Sequence, residues 1–344
     1  VDAMGGDNAP LCNVEGAVEA VRELGVEVAL VGQGIEIMDA LKTLGIDELP
    51  PGVEIVHADQ VVTAEDNPAT AFREKKDSSL TVGLELVRDG KADAFVSAGP
   101  TGALLSAATL ITKRIRGIRR AAMAPLLPTA NGGSILIDCG ATAECTPEYL
   151  LQFAYMGSYY AEHILGRPEP RVGLLNIGVE EGKGTELQKQ TYALLKEAGK
   201  AGRIHFVGNV EAREAILGAV DVIVCDGYSG NILLKTMEGT ALYLTGEMKK
   251  MFKKNALTKL AAALVSDGIG HIKSLLDSRE VGGTALVGIA RPVLKAHGSS
   301  DGYAIKNAIG QACKYVSSGI IESITDNIEY MRLPTSAPEK GSEG

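Results

Sequence analysis

The stretch LLNIGVEEGKGTEL, residues 174–187, takes an apolar run into a glycine-rich acidic turn and out again into a helical pattern. The turn looks like a Walker A loop but fails its spacing. That loop requires four residues between its first glycine and the Gly-Lys pair, followed by Ser or Thr. Here Gly178 and Gly182 enclose three, and Lys183 is followed by Gly184. What remains is a strand, a turn suited to a small anion, and a helix.

The same unit recurs along the chain. VEVALVGQG (26–34), VEIVHAD (53–59), ADAFVSAGPTG (92–102), GSILIDCGAT (133–142), RIHFVGN (203–209), DVIVCDGYSGN (221–231) and TALVGIA (284–290) all run from apolar residues into a turn. Helical patterns such as Val14, Ala17, Val18 and Val21, spaced three and four apart, lie between them. Near-continuous apolar strands alternating with helices predict an α/β fold, a mostly parallel sheet covered on both faces. In such a three-layer α-β-α arrangement ligands bind beyond the carboxyl ends of the strands. The absence of a repeat or linker predicts one domain over residues 1–331, followed by a Pro/Gly/Ser-rich disordered tail at 332–344.

One segment breaks the alternation. Residues 234–276 hold a helical pattern with no strand, predicting a helical hairpin, about 235–277, that projects from the sheet. Its apolar stripe contains Leu244, Met248, Met251, Phe252, Leu257, Leu260 and Leu264; Lys249, Lys250, Lys253, Lys254 and Lys259 crowd the other face.

The totals narrow the function. The 41 glycines and 4 % aromatics suit many tight turns around a core of small aliphatic side chains. A formal net charge of −9 argues against general nucleic-acid binding. Five scattered cysteines without a CxxC pair argue against a disulfide framework and for the cytoplasm. No metal or cofactor is expected: there is no H-x-x-x-H, no tight carboxylate cluster, no G-x-S-x-G, and Gly32-Gln33-Gly34 is a lone GxG.

Five loops carry chemistry, and each also has a plainer reading. VDAMGGDNAP (1–10) offers Asp2, Gly5, Gly6, Asp7 and Asn8 for close approach to a ligand, or forms an ordinary turn. SAGPTGALL (97–105) places Ser97, Gly99, Thr101 and Gly102 before a helix, as an anion site or a capping turn. DGYSGNILLKT (226–236) repeats the design with Asp226, Ser229, Gly230, Asn231 and then Lys235, or is a simple N-cap by Ser229. KAHGSSD (295–301) is the densest, with Lys295, His297, Ser299 and Ser300 around Gly298. The fifth is the opening loop, with Asn176, Glu180 and Lys183. His57, His163, His205 and His271 lack such company and read as structural.

Taken together, VDAMGGDNAP, SAGPTGA, NIGVEEGKGTE, VGNVEARE, VCDGYSGN and KAHGSSD, in that order over residues 1–330, resemble the acyl-ACP:phosphate acyltransferases of bacterial phospholipid synthesis, the PlsX family. Tyr228 stands where that family is expected to carry phenylalanine. The resemblance implies transfer of a long-chain acyl group from acyl carrier protein to inorganic phosphate. The acyl-phosphate product then passes to a membrane glycerol-3-phosphate acyltransferase. It also implies a homodimer and a fold related to phosphotransacetylases and to isocitrate and isopropylmalate dehydrogenases.

That reaction needs donors that bring an anion to a thioester carbonyl. The expected site joins Lys183, Lys295 and His297 to the turns at 99–102 and 229–231, with Lys235 as a substitute for Lys183. Acidic carrier protein would dock on KRIRGIRR (113–120) or on the lysines at 249–254. The hairpin, with Met251, Phe252, Leu257, Leu260 and Leu264 opposite its lysines, reads as a surface for the inner face of the membrane, or as a dimer-packing helix. Three rivals are a short-chain phosphotransacetylase using acyl-CoA, an NAD- and metal-dependent hydroxyacid dehydrogenase, and a non-catalytic membrane-binding scaffold.

Overall fold

The computed structural model describes residues 1–333; most of the expected tail, from position 334 on, lies outside the described residues. Eleven strands are present among them: β1 Val28–Gly32, β2 Val53–His57, β3 Phe95–Ser97, β4 Ala122–Ala124, β5 Leu126–Leu127, β6 Ser134–Ile137, β7 Arg171–Leu175, β8 His205–Val210, β9 Val222–Val224, β10 Gly283–Val287 and β11 Val293–Ala296. The helices are α1 Leu11–Leu24, α2 Gly34–Thr43, α3 Ala71–Glu74, α4 Ser79–Arg88, α5 Thr101–Ile111, α6 Pro147–Leu165 and α7 Glu186–Lys200. They continue with α8 Ala212–Ile216, α9 Gly227–Lys253, α10 Ala256–Leu264, α11 Ser266–Leu276, α12 Ser278–Val281, α13 Gly302–Ser317 and α14 Ile320–Asp326.

Three hydrogen-bonded sheets join into one strand array. β1 and β2 pair in parallel, and residues 1–3 bridge them to β3: the Ala3 amide donates to Val31 O and the Asp2 amide to Val96 O, both at 2.9 Å. The second sheet runs β3-β11-β10-β4 and the third β5-β6-β9-β7-β8. Pro125 separates β4, which pairs with β10, from β5, which pairs with β6. β10 is antiparallel to both of its neighbours, and β5 is antiparallel to β6. The parallel strands β6, β9, β7 and β8 therefore run opposite to β3 and β11. Their carboxyl ends leave the array by opposite edges.

Alternation along the strands fills a layer on each side. Val96 and Leu294 pack with Val14, Ala17 and Val18 of α1 and Ile305 and Ala308 of α13. Their neighbours Phe95 and Val293 point the other way, onto Leu80 and Leu84 of α4 and Leu104 and Ala107 of α5. In the other half, Ile135, Ile137, Val172 and Val224 pack on α6, while Leu136, Ile223 and Cys225 pack toward α8 and the start of α9. α6 has clear termini: the Thr146 hydroxyl caps the Tyr149 amide, Pro147 opens the first turn, and Gly166 ends it at φ 63°.

α9 leaves the body after its first two turns. Leu233 is its last buried residue, and none from 234 to 270 is buried. α10 begins at a capping box formed by Asn255 and Thr258. Among the described residues no helix is long and apolar enough to cross a membrane.

The start of α9 depends on glycine. A methyl on Gly230 would run into the Asp138 carbonyl oxygen and stand 2.9 Å from Cys225 Sγ. Gly230→Ala is expected to lose about 2 kcal/mol of stability, read as a lower urea midpoint, despite alanine's better helix propensity.

Candidate active site

Three of the predicted loops meet at the carboxyl ends of β3 and β11. Ser97 and Lys295 are register partners and, by the alternation above, lie on the α5 side of the sheet. Asp2 arrives beside them from residues 1–3, and Ser97 Oγ donates to its Oδ2 at 2.6 Å. The turn at Gly5-Gly6 crosses over this edge: Gly6 has φ 105°, a methyl on it would meet Ala98 and Gly298, and the Asp7 amide donates to Gly298 O at 2.7 Å. The Asn8 amide group reaches Ser299 O and Ser300 O at 3.3 and 3.1 Å.

Lys295 is the buried cation of this cluster. Its Nζ donates to Ala98 O at 3.2 Å and to Ala296 O, leaving a third hydrogen for a ligand. Burial pushes its pKa down to about 8, against the opposing pull of Asp2 and Asp7. His297 is exposed. Its Nδ1 lies 2.8 Å from Ser299 Oγ and accepts the Ser299 amide at 3.3 Å, and its Nε2 has no partner among the described residues. Ser300 is 3 % exposed, and its hydroxyl has no partner among the described residues.

α5 starts at the same edge. Pro100 stands at its N-cap without a side-chain acceptor, and the amides of Thr101, Gly102 and Ala103 have no partner among the described residues. Three free N–H groups and the positive end of the helix dipole suit an anion.

The other predicted loops do not join this cluster. The 176–185 loop follows β7, at the opposite edge, and is tied to itself and to β8. Asn176 Nδ2 donates to Lys183 O at 3.1 Å, and Asn209 Nδ2 to Glu180 O at 2.8 Å. Lys183 is exposed, and no described hydrogen bond or ion pair links it to residues 295–301. Lys235 pairs with Glu238 on its own helix at 2.7 Å. The expected oxyanion turn at Ser229, Gly230 and Asn231 is also otherwise engaged. Asp226, not Ser229, is the N-cap: its carboxylate accepts the Ser229 amide and hydroxyl, each at 2.8 Å, and its carbonyl accepts the Gly230 amide. Asn231 donates to Cys139 O at 3.3 Å. Those amides are consumed in building α9.

Asp138, which the motif reading passed over, organises that second edge. It is fully buried, with its pKa raised by burial, and accepts amides from Met123, Cys139, Ala141 and Thr142. The only signal for it was the DCGAT end of an apolar run. The cysteines there are poor nucleophiles: burial raises Cys139 and Cys225 and pushes Cys145 to about 12.

On the projecting helices Leu257 and Leu264 are 77 % and 80 % exposed, whereas Phe252 is half-buried. Met251, Leu260, Lys249, Lys250 and Lys253 are exposed as expected. KRIRGIRR, the other docking candidate, follows the end of α5 at Ile111. It is a loop pinned by buried Ile115 and Ile118, with Arg119 held by Glu148 at 3.2 Å.

Residues 1–323 match the family described as "Fatty acid synthesis protein". A curated "Phosphate acyltransferase" of Alkaliphilus oremlandii is 48 % identical over 331 residues, covering 96 % of this chain and 97 % of that one. Another, of Exiguobacterium sibiricum, is 48 % identical over 330 residues, covering 95 % and 97 %. Among solved structures, a phosphotransacetylase from Streptococcus pyogenes aligns with TM-score 0.58 at 18 % identity, covering 90 % and 91 % of the two chains. A putative 4-hydroxythreonine-4-phosphate dehydrogenase from Salmonella typhimurium aligns at 0.51 and 14 %, covering 88 % and 95 %. At such identities these two establish a common fold.

Holding Lys295 charged while buried works against stability. Its folded pKa, about 8, lies below the ordinary 10.5. The unfolded chain therefore binds more protons between those values, and stability rises with pH across that window. Lys295→Met is expected to abolish activity yet unfold at higher urea at pH 7, by about 1–3 kcal/mol. Its advantage should shrink as the pH rises from 8 toward 10; a constant advantage would contradict the assignment.

Proposed function

The chain belongs to the PlsX family of phosphate acyltransferases, and from that premise we propose that it moves a long-chain acyl group from acyl carrier protein to inorganic phosphate. It is an acyltransferase, and the product is an acyl-phosphate for phospholipid synthesis. One observation carries the placement of the chemistry: the open amides of Thr101, Gly102 and Ala103 lie at the same strand ends as Lys295 and His297. We place phosphate there. The links at residues 1–3 and at Pro125, which join the three sheets, support treating residues 1–331 as one catalytic unit.

The reaction suits donors without a strong base. Inorganic phosphate is in good part dianionic at neutral pH and needs no strong base to act as a nucleophile. A thiol leaving group with a pKa of about 8.5 departs with little help. The barrier lies in bringing an anion to the thioester carbonyl and stabilising the second negative charge that develops on its oxygen. Amides at α5 and the Lys295 ammonium position phosphate, and His297, through Nε2, serves the carbonyl oxygen. The phosphate oxygen forms the new bond to the acyl carbon, and the carbon–sulfur bond breaks to release the carrier thiolate. Raised thiol pKa values support direct attack over an acyl-cysteine intermediate.

In this reading Lys183, with Asn176 and Glu180 in its loop, serves an acidic partner or a second copy of the chain rather than the phosphate. A homodimer packed along α9, a membrane surface on α10, and delivery to a membrane glycerol-3-phosphate acyltransferase complete the proposal. The exposed Leu257, Leu260 and Leu264 support the membrane surface. The inner face of the cytoplasmic membrane is the corresponding location.

Phosphate-dependent release of carrier thiol from palmitoyl-carrier protein tests the chemistry. Lys295→Ala and His297→Ala should each lower kcat/KM for it by about 10²-fold or more. Lys183→Ala should act chiefly on the KM for the carrier. Acetyl-CoA turning over as well as palmitoyl-carrier protein would favour a short-chain phosphotransacetylase instead.

Flotation with anionic liposomes tests the membrane surface. Leu257→Glu with Leu264→Glu should abolish co-flotation while leaving soluble turnover unchanged; equal flotation of variant and parent would count against it.

A further inference from the structure

Lys295, His297 and the start of α5 leave one feature of this edge unexplained: a carboxylate buried directly behind them. Asp2 is 2 % exposed and Ser97 1 %. The Ser97 hydroxyl donates to Asp2 Oδ2 at 2.6 Å and accepts the Gly99 amide at 3.0 Å, while Asp2 Oδ1 accepts the Met4 amide at 3.2 Å. A polar chain thus runs from carboxylate to hydroxyl to the amide two residues before α5.

The packing admits nothing else. A methyl on Gly5 would strike Asp2 Oδ2 and stand 2.7 Å from the Gly99 nitrogen. One on Gly99 would lie 3.1 Å from Ser97 Oγ and 3.3 Å from Asp2 Oδ2. Buried Asn13 fixes the turn from behind, donating to Ala3 O and Gly5 O at 3.0 and 2.9 Å. With its proton committed to the carboxylate, the Ser97 hydroxyl presents a lone pair to Gly99 in one direction. The charge-assisted bond is of the strong class. Without the carboxylate the hydroxyl rotates freely.

We propose that Asp2 and Ser97 are positioning residues for phosphate: through the Gly99 amide they fix the first turn of α5. Neither touches substrate. The proposal rests on the phosphate acyltransferase reading. The charged groups acting on Lys295 are Asp2 from the opening residues and Asp7 from the turn that follows. Removing the Asp2 charge makes the ammonium easier to deprotonate.

The test uses the full chain, with Ser97→Ala, Ser97→Thr and Asp2→Asn, assayed for phosphate-dependent thiol release. Ser97→Ala should raise the KM for phosphate about tenfold, with the KM for the thioester within about twofold, as expected when a binding cradle is misaligned. Ser97→Thr, which keeps the hydroxyl, should recover most of the loss. Asp2→Asn should raise the same KM and also move the alkaline limb of the rate profile to lower pH, a shift Ser97→Ala lacks. If Asp2→Asn does not fold, the contrast between Ser97→Ala and Ser97→Thr decides. Parent-like phosphate KM values in Ser97→Ala, or equal losses for both substrates, would overturn the proposal. A parent enzyme that releases thiol without phosphate would instead defeat the functional reading beneath it.

Discussion

A buried ammonium at a strand end is costly to keep, and the construction of this edge of the molecule follows from that cost. Lys295 sits at the end of β11 with two of its three hydrogens on carbonyl oxygens and two carboxylates acting on it. Solvated, the same lysine would hold its charge more easily but would attract an anion no better than a surface residue does. Burial strengthens its attraction for an anion while bringing its pKa near the working pH. Asp2 and Asp7 limit that fall, and the double-glycine turn at 5–6 lets the backbone carrying them lie close enough to act.

The second constraint is the polarity of the strand array. Because β10 runs against both neighbours and β5 against β6, the two sets of parallel strands present their carboxyl ends at opposite edges. Loops that look equivalent in sequence therefore fall into two groups. The 1–8, 97–102 and 295–301 loops converge; the 138–142, 176–185 and 226–231 loops form a separate edge organised by Asp138. Each group has glycine turns before helices, but the amides are spent differently. At α9 the Asp226 carboxylate and the Thr142 carbonyl consume them. At α5 the N-cap is proline, and they stay open.

Alternation of apolar runs with helical patterns was enough to read the layered sheet, the helical segment that leaves it and the turns at strand ends. It was not enough to group those turns. Strand polarity at the junction depends on pairings between short segments far apart in the chain, such as Ala124 with Ala285, and no local pattern records them. The same limit explains the misplaced lysines. Lys183 and Lys295 both follow or end apolar runs beside glycine, but only Lys295 lies within a strand of the edge where the amides are open. Asp138 escaped notice because its role is to receive four backbone amides, and backbone donors have no sequence signature.

The starts of α5 and α9 spend their amides differently. An open amide cluster at a helix start attracts small anions, and this fold has two such starts beside glycine turns. Capping α9 with its own carboxylate closes one of them. It also places negative charge where an anionic substrate would otherwise settle. The edge so closed still presents Ile177, Val179 and Tyr228 to solvent at 79 %, 60 % and 66 % exposure. Apolar side chains around a capped helix start suit contact with a macromolecule better than contact with a hydrated ion. The antiparallel junction thus leaves the open amides at one edge and these exposed apolar side chains at the other.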